Sequence, residues 1–437
     1  MTDIPLTQPC RIIGVLDKGP AGLTPAALAH IEAADLVIGG SRLLDLCADR
    51  IAAQAERRDL TGHLASVPGW ISEALGAGKQ VVVLATGDPL FHGIASYLRS
   101  RLPDLSLEIL PTVSTVQLAC ARLGLAWQDF RVVSVHGRNS GEWQEGAGPE
   151  HGLYPILQAL QGHHRLAILT SPDNSPDRIA RMLVQEGLGD SVRLAVASRL
   201  GWADEQVIAD RALAEAAAMT FAEPNLVILS RQAHVRSPVL FGLADEAFRQ
   251  RQPDRGLITK REARALSLAR LQLRSDSIVW DIGAGSGAVG LEAARLCPQG
   301  FVHAIEKNPE DAAIARENRR RLGIPNYRLI QAQAPQGLAD WPDPDAIFIG
   351  GSGGQLAALI QLALTRLRAK GWLVMNFVTF ENLHLAMTEL KTLQARWDVT
   401  QIQASRGQPI LDMYRLVPEN PVWILAATPG DRHDPCE

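Results

Sequence analysis

Apolar residues in this chain fall in short runs, each of which stops on a cluster of small or polar residues. Residues 11–15 (Arg-Ile-Ile-Gly-Val), 33–40, 80–85, 106–110, 131–135 and 166–169 read as strands of the first half. Residues 277–282, 301–306, 327–333 and 344–349 do the same in the second. Between them lie stretches with helical spacing, such as 25 onward with Thr24 as N-cap, 94–101, and 261–271, where Ala265, Leu266, Leu268, Ala269 and Leu271 cluster on one face. Near-continuous apolar strands alternating with helices predict parallel sheets buried on both faces, an α/β protein.

The densest signal is the run Ser277-Ile-Val-Trp-Asp281-Ile-Gly283-Ala-Gly285-Ser-Gly287, a strand that ends on a carboxylate and passes into closely spaced glycines before a helix from about Ala288. Glycine there lets the backbone lie against a ligand. Gly285-Ser-Gly287-Ala-Val-Gly290 also fits the dinucleotide pattern G-x-G-x-x-G, so the turn alone leaves a dinucleotide or another nucleoside open. The next strand ends on Glu306-Lys307-Asn308, an acid able to take two ribose hydroxyls. In the first half, the run 80–85 opens into Thr86-Gly87-Asp88-Pro89-Leu90-Phe91-His92-Gly93, either a ligand loop at a strand end or a turn in which Asp88 caps helix amides. Around residue 260, Thr259 with Glu262 fits a capping box.

Composition narrows the choices. The 437 residues exceed one ordinary core, so two domains are expected. Hydrophobic residues make up 46% and charged residues 21%, the balance of a soluble globular protein, and no apolar run approaches a bilayer span. The N-terminus lacks a signal-peptide pattern, which together with scattered cysteines points to the cytoplasm. The five cysteines form no C-x-x-C and the eleven histidines no ligand spacing, so neither a metal nor a disulfide framework is expected. Residues 1–240 carry 20 basic and 25 acidic side chains (net −5), and the rest 23 and 22 (net +1). Neither half has the basic excess of a nucleic-acid binder, which favours a small substrate.

Residues 281–306 resemble the nucleoside-binding half of class I S-adenosylmethionine methyltransferases. Thr86-Gly-Asp-Pro-Leu-Phe-His-Gly93, Pro111-Thr-Val-Ser114-Thr115-Val-Gln-Leu-Ala119 and Ser134-Val-His136-Gly-Arg138 resemble class III tetrapyrrole methylases, in particular the branch acting on C5 of the precorrin ring; the likeness covers about residues 10–230. Leu16 stands where that family commonly has a glycine. Leu257-Ile-Thr-Lys260-Arg-Glu262, residues 281–287, Ala334-Pro335, Phe348-Ile-Gly350-Gly351, Asn376 and Glu381-Asn382-Leu383 are similar, over about residues 245–425, to the decarboxylating precorrin C15 methyltransferases.

The resemblance implies two methyltransferase units: a two-subdomain tetrapyrrole-methylase fold over residues 1–236, a linker over 237–256, and a Rossmann-like class I fold over 257–437. It implies methylation of precorrin-6B at C5 and C15 with loss of CO₂ from an acetate side chain, and S-adenosylmethionine as cofactor. Implied cofactor contacts are Asp281, Gly283, Gly285, Gly287, Glu306, Lys307, Gln333 and Ala334 in the second unit, and Gly87, Asp88, Pro89, Ser114, Thr115 and Thr170 in the first. Implied substrate contacts are His136, Arg138, Gly350, Gly351 and Asn376, with Lys260, Arg261 and Glu262 as catalytic candidates; a solvated helix start is the plain alternative for those three. Implied partners are the tetrapyrrole and further copies of the chain, a homo-tetramer through the C-terminal unit, with no nucleic acid and no membrane. Two rival readings are an NAD-dependent oxidoreductase and an RNA methyltransferase with an accessory domain; neither accounts for both halves.

Overall fold

The computed structural model describes residues 8–137, 139–231, 239–251 and 258–430. By backbone contacts the chain forms two compact units. The first comprises Met1–Arg138, His163–Ala180 and Val192–Arg231; the second comprises Asn139–Gly162, Arg181–Ser191 and Gln232–Glu437.

The first unit holds two five-stranded sheets. One contains β1 (Cys10–Val15), β2 (Leu36–Gly39), β3 (Glu56–Asp59), β4 (Val81–Thr86) and β5 (Leu107–Leu110) in the order β3-β2-β4-β1-β5, all parallel. Its central strands β1, β2 and β4 are almost wholly buried, as expected for apolar runs covered by helices on both faces. β3 has the sequence Glu-Arg-Arg-Asp, which no apolar pattern marks; it sits at the sheet edge, where charge is tolerated. The second sheet contains β6 (Arg131–Ser134), β7 (Arg165–Leu169), β8 (Val192–Ser198), β9 (Gln206–Ala212) and β10 (Asn225–Arg231) in the order β6-β7-β10-β8-β9, parallel only between β6 and β7. Thr24 accepts a hydrogen bond from the Ala27 amide at the start of the helix Pro25–Glu32, as its position suggested.

The second unit is built on a seven-stranded sheet: β11 (Ile278–Ile282), β12 (Phe301–Glu306), β13 (Tyr327–Gln331), β14 (Ala346–Ile349), β15 (Trp372–Phe377), β16 (Arg396–Ile402) and, beyond an intervening ribbon, β19 (Val422–Thr428). The order is β13-β12-β11-β14-β15-β19-β16, with only β19 antiparallel to its neighbours β15 and β16. Two apolar cores flank this sheet. One packs the helices Arg261–Arg270, Ala288–Leu296 and Pro309–Leu322 on one face; the other packs Leu356–Arg366 and Phe380–Thr392 on the opposite face. The ribbon of β17 (Ser405–Ile410) and β18 (Met413–Pro418) pairs only with itself among the described residues.

Residues 239–251 lie against this unit. Arg264 and Glu292 are fully buried, with Arg264 Nε donating to Glu292 Oε1 at 2.8 Å and Nη1 to Asp245 Oδ1 at 3.0 Å. Glu292 also accepts from the Leu243 amide at 3.1 Å, and Arg264 donates to the Leu243 carbonyl. Asn318 exchanges hydrogen bonds with both backbone groups of Arg249.

Candidate functional site

In the second unit a cavity of about 310 Å³ opens at the carboxyl edge of the parallel strands, where α/β sheets bind ligands. Its walls come from the loops after β11 (Gly283 to Ser286), β12 (Glu306 to Asn308), β13 (Ala332 to Ala334) and β14 (Gly350 to Gly353), joined by Thr259 and Arg251.

The loops touch because two of them are glycine. A β-carbon on Gly283, whose φ is +71°, would stand 2.4 Å from the Gly351 carbonyl oxygen, a clash between two backbones that no side-chain motion relieves. The Gly283 amide donates to the Ile305 carbonyl at 2.9 Å and the Gly350 amide to Ile282 at 2.9 Å, so the turns are tied to neighbouring strands. Glu306 is buried, and its oxygens accept from the amides of Gly285 at 2.9 Å and Asn308 at 2.8 Å. A carboxylate offers about four lone-pair sites, so both oxygens retain capacity for a diol. Gln333 donates to the Gly353 carbonyl at 3.3 Å across the rim. A nucleoside fits this donor set: a held carboxylate for ribose hydroxyls, apolar walls from Val289, Ile305 and Phe348, and a backbone cradle that a β-carbon would fill.

Asp281 lies one layer behind that wall. Its Oδ2 accepts from the Gly290 amide at 3.1 Å, while Oδ1 has no hydrogen-bond partner. Burial, assisted by the Glu306 charge and opposed by the Gly290 amide, pushes its carboxyl up to about 7. Beside it the Tyr327 hydroxyl is also buried and unpaired, and burial raises its pKa. Gly290 sits within the helix Ala288–Leu296, where a β-carbon would be 2.3 Å from Asp281 Oδ2. The third glycine of the dinucleotide-like pattern is therefore needed for helix-to-strand packing.

The helix Arg261–Arg270 begins beside the cavity, since Thr259 lines it. The expected Thr259–Glu262 capping box does not form: Lys260 is the N-cap residue and no side chain caps the helix. Glu262 instead pairs with Arg406 at 2.7 Å, an arginine that also reaches Asp245 and Glu419. Burial raises the Glu262 carboxyl, but the Arg406 hydrogen bond and charge outweigh it and leave the group below its ordinary range. Lys260 and Arg261 are exposed. Asn376 is not among the residues lining the cavity; it exchanges hydrogen bonds with Ser267 at 2.9 and 3.1 Å.

In the first unit the loops after β1, β4 and β5 converge. The Gly87 amide donates to the Val15 carbonyl at 3.1 Å, and Thr112 Oγ1 donates to the Gly87 carbonyl at 3.0 Å. A β-carbon on Gly14 would come within 2.0 Å of that carbonyl oxygen. Asp88 does not cap the following helix: it accepts from the Leu90 amide at 2.9 Å, and Gly93 is the N-cap residue. Pro89 is held beneath Gly93, whose absent β-carbon would meet the Pro89 carbonyl at 2.4 Å. Ser114 forms a capping box with Gln117, which engages its hydroxyl and amide, and Thr115 is the first helical residue. At the edge of the second sheet, His136 Nδ1 lies 3.2 Å from the Thr170 carbonyl, and the Thr170 hydroxyl, with one proton to donate, lies 2.5 Å from the Asn225 carbonyl oxygen and 2.7 Å from Asn225 Oδ1. Arg138 lies outside the described residues.

Comparison with known proteins matches these two site-bearing regions to two family models: "Tetrapyrrole (Corrin/Porphyrin) Methylases" over residues 10–217 and "Precorrin methyltransferase domain" over residues 250–428. A Precorrin-6Y C(5,15)-methyltransferase [decarboxylating] from Sinorhizobium sp is 33% identical over 98% of this chain and 100% of the relative. The chain belongs to the precorrin-6Y C(5,15)-methyltransferase (decarboxylating) family.

Single-function relatives divide along the same line. A Salmonella typhimurium Cobalt-precorrin-6B C(15)-methyltransferase (decarboxylating) is 40% identical over 40% of this chain and 91% of its own length. A Cobalt-precorrin-7 C(5)-methyltransferase from the same organism is 33% identical over 45% of this chain and 89% of its own length. Membership of this methyltransferase family sets aside the oxidoreductase and RNA-methylating readings. Asp311 and Arg251 line the cavity without having been singled out in the sequence, and Thr259, read there as a cap candidate, lines it too. For Arg251 no local signal existed, because its segment reads as polar linker.

Proposed function

We propose that the protein uses S-adenosylmethionine to methylate precorrin-6B at C5 and C15 and removes the C12 acetate carboxyl as CO₂, giving precorrin-8X in cobalamin biosynthesis. The observation that carries this reading is the end-to-end match to a bifunctional relative. Residues 1–236 are assigned C5 methylation, residues 257–437 C15 methylation with decarboxylation, and residues 237–256 the connection.

When bound, the cofactor supplies an activated methyl group, so the protein's task is position and exclusion of water. Glu306 holds the ribose through lone pairs its backbone partners leave free. The contact of Gly283 with Gly351 brings two backbones to the ligand. Val289, Ile305 and Phe348 dry the wall. Lys260 and Arg261 face solvent at the helix start beside the cavity and take the substrate's carboxylates. Glu262, ionised by Arg406, positions that cationic start rather than donating a proton. In the first unit Gly87, Asp88, Pro89 and Thr170 serve the cofactor, and His136 faces the substrate.

No helix among the described residues is long and apolar enough to cross a membrane, and we place the protein in the cytoplasm. We also place a homo-tetramer contact on the second unit, on its ribbon. Leu411, Met413, Tyr414 and Leu416 are 61–93% exposed there, and a two-stranded ribbon is marginal alone in water.

The test uses the full chain, because residues 139–162 and 181–191 cluster with the second unit and a cut near 240 would separate them from it. Intact protein with precorrin-6B and S-adenosylmethionine should yield a product that has lost CO₂ and gained two methyl groups by mass. Gly14→Ala should stop after CO₂ loss and one methylation. Gly283→Ala should abolish CO₂ loss. An intact chain that leaves the tetrapyrrole mass unchanged overturns the assignment.

A further inference from the structure

The carboxyl edge of the second unit carries an apolar feature that the cofactor cavity does not use. β15 runs parallel to β14, with Ile349 opposite Met375. The residues just past Ile349, Gly350 to Gly353, form a wall of the cavity. The residues just past β15 leave the same edge one strand spacing away, roughly 5 Å. There the chain places Val378 at 67% exposure and Phe380 at 72%, separated by Thr379. Strand-to-helix loops at this edge are otherwise glycine and polar, as in residues 283–287 and 350–354. Phe380 does not hang free: its ring lies 4.9 Å from that of Trp423, tilted by 47°. Trp423 is itself fixed by pairing opposite Phe377.

The result is a firm apolar ledge beside a nucleoside-sized cavity. The exposed cations Lys260 and Arg261, next to the cavity-lining Thr259, start the helix Arg261–Arg270, which packs against β15 through Ser267 and Asn376. The carboxylate nearest the ledge in sequence is Glu381, exposed on the following helix. An apolar shelf and exposed cations beside one cavity suit a broad ligand with unsaturated faces and an acidic rim.

We infer that Val378 and Phe380 form the shelf that receives the face of the tetrapyrrole macrocycle in the second unit, making them specificity-determining residues for the C15 step; this rests on the C15 assignment proposed above. The shelf holds the ring flat, so that its rim carboxylates reach the Lys260 and Arg261 side and C15 is turned toward the cavity. Removing it weakens substrate binding and leaves cofactor binding intact, because neither residue lines the cavity.

The test compares wild type, Val378→Ser/Phe380→Ser and Phe380→Tyr in the full chain, with precorrin-6B as the ligand. Both positions are solvent-exposed, so folding should be unaffected, and thermal melting checks it. Turnover of CO₂ and calorimetric binding of precorrin-6B without cofactor are both measured. The double variant should raise KM and the dissociation constant about tenfold with little change in kcat. S-adenosylmethionine affinity should be unchanged, and Phe380→Tyr should behave as wild type. If wild type turns over and the double variant keeps the wild-type KM and dissociation constant, the shelf is wrong. If wild type binds precorrin-6B without releasing CO₂ and the double variant binds more weakly, the shelf stands and the C15 reading falls. Absence of binding by wild type overturns both. A change in oligomeric state with unchanged binding would make the ledge a protein contact and overturn the proposal.

Discussion

Asp281 shows how burial alters the meaning of a residue. Its position at a strand end before a glycine turn suggests a carboxylate facing a ligand, yet it lies behind the loop with one oxygen unpaired. Since burial raises its pKa to about 7 from an ordinary 3.8, the folded protein holds this proton more tightly than the unfolded chain. The group's cost to folding is therefore absent at acid pH, grows as pH rises from about 4 through 7, and is complete above that. Asp281→Asn keeps an oxygen for the Gly290 amide and removes the titration. The melting temperature of the variant relative to wild type should rise between pH 5 and pH 8. An unchanged difference would mean that Asp281 is ionised throughout. The glycines speak more directly in the sequence, because absence of a side chain is itself the signal. Only the structure identifies what a β-carbon would strike, Gly351 in one unit and the Gly87 carbonyl in the other.

Helix starts and connecting segments carry the next lesson. The pair Thr259 and Glu262 has the spacing of a capping box, but Arg406, distant in sequence, takes Glu262. Ser114 and Gln117 have the same spacing and do form the box. Local spacing permits a cap, and a remote charge decides whether it forms. Ser114→Ala should destabilise the protein by about 1 kcal/mol. If the cap is the whole role of that hydroxyl, denaturation will register the loss while cofactor titration of the first unit shows none. The segment 239–251 reads as a polar connection, yet the buried pair of Arg264 and Glu292 fastens it to two helices. Arg264→Met leaves Glu292 buried without its counter-ion, and a loss of about 3–5 kcal/mol is expected. Urea denaturation measures it, with faster proteolysis in 239–251 as the structural readout. The edge strand β3 and the strands β8 to β10 and β15 to β19 drew no notice in the sequence. β3 is charged and β9 and β16 to β18 are mixed or exposed, whereas β8, β10, β15 and β19 are apolar, largely buried runs whose pattern did carry the signal.

At the scale of the molecule, the exposed ribbon bears on assembly. Tyr414 and Leu416 project to one face of β18 by strand alternation and are 79% and 73% exposed. If the ribbon carries the proposed tetramer contact, Tyr414→Glu/Leu416→Glu should lower the mass seen by light scattering and leave the melting behaviour of the core sheet near wild type; an unchanged mass would clear the ribbon of that role. Composition and sequence-local patterns determined much of this protein: the α/β class, the parallel strands β1 to β5 and β11 to β15 (the second sheet being mostly antiparallel), two glycine-bearing strand-end loops and the family resemblance, the last agreeing with an end-to-end relative. These are properties that neighbouring residues carry among themselves, through apolar period, missing β-carbons and an acid at a strand end. Tertiary structure decided which polar groups find partners. It turned Asp281 inward, gave Glu262 to Arg406, engaged Asn376 with Ser267, and drew residues 139–162 and 181–191 into the second unit. Charge pairing and burial depend on what the fold brings from far along the chain, and no local pattern encodes that.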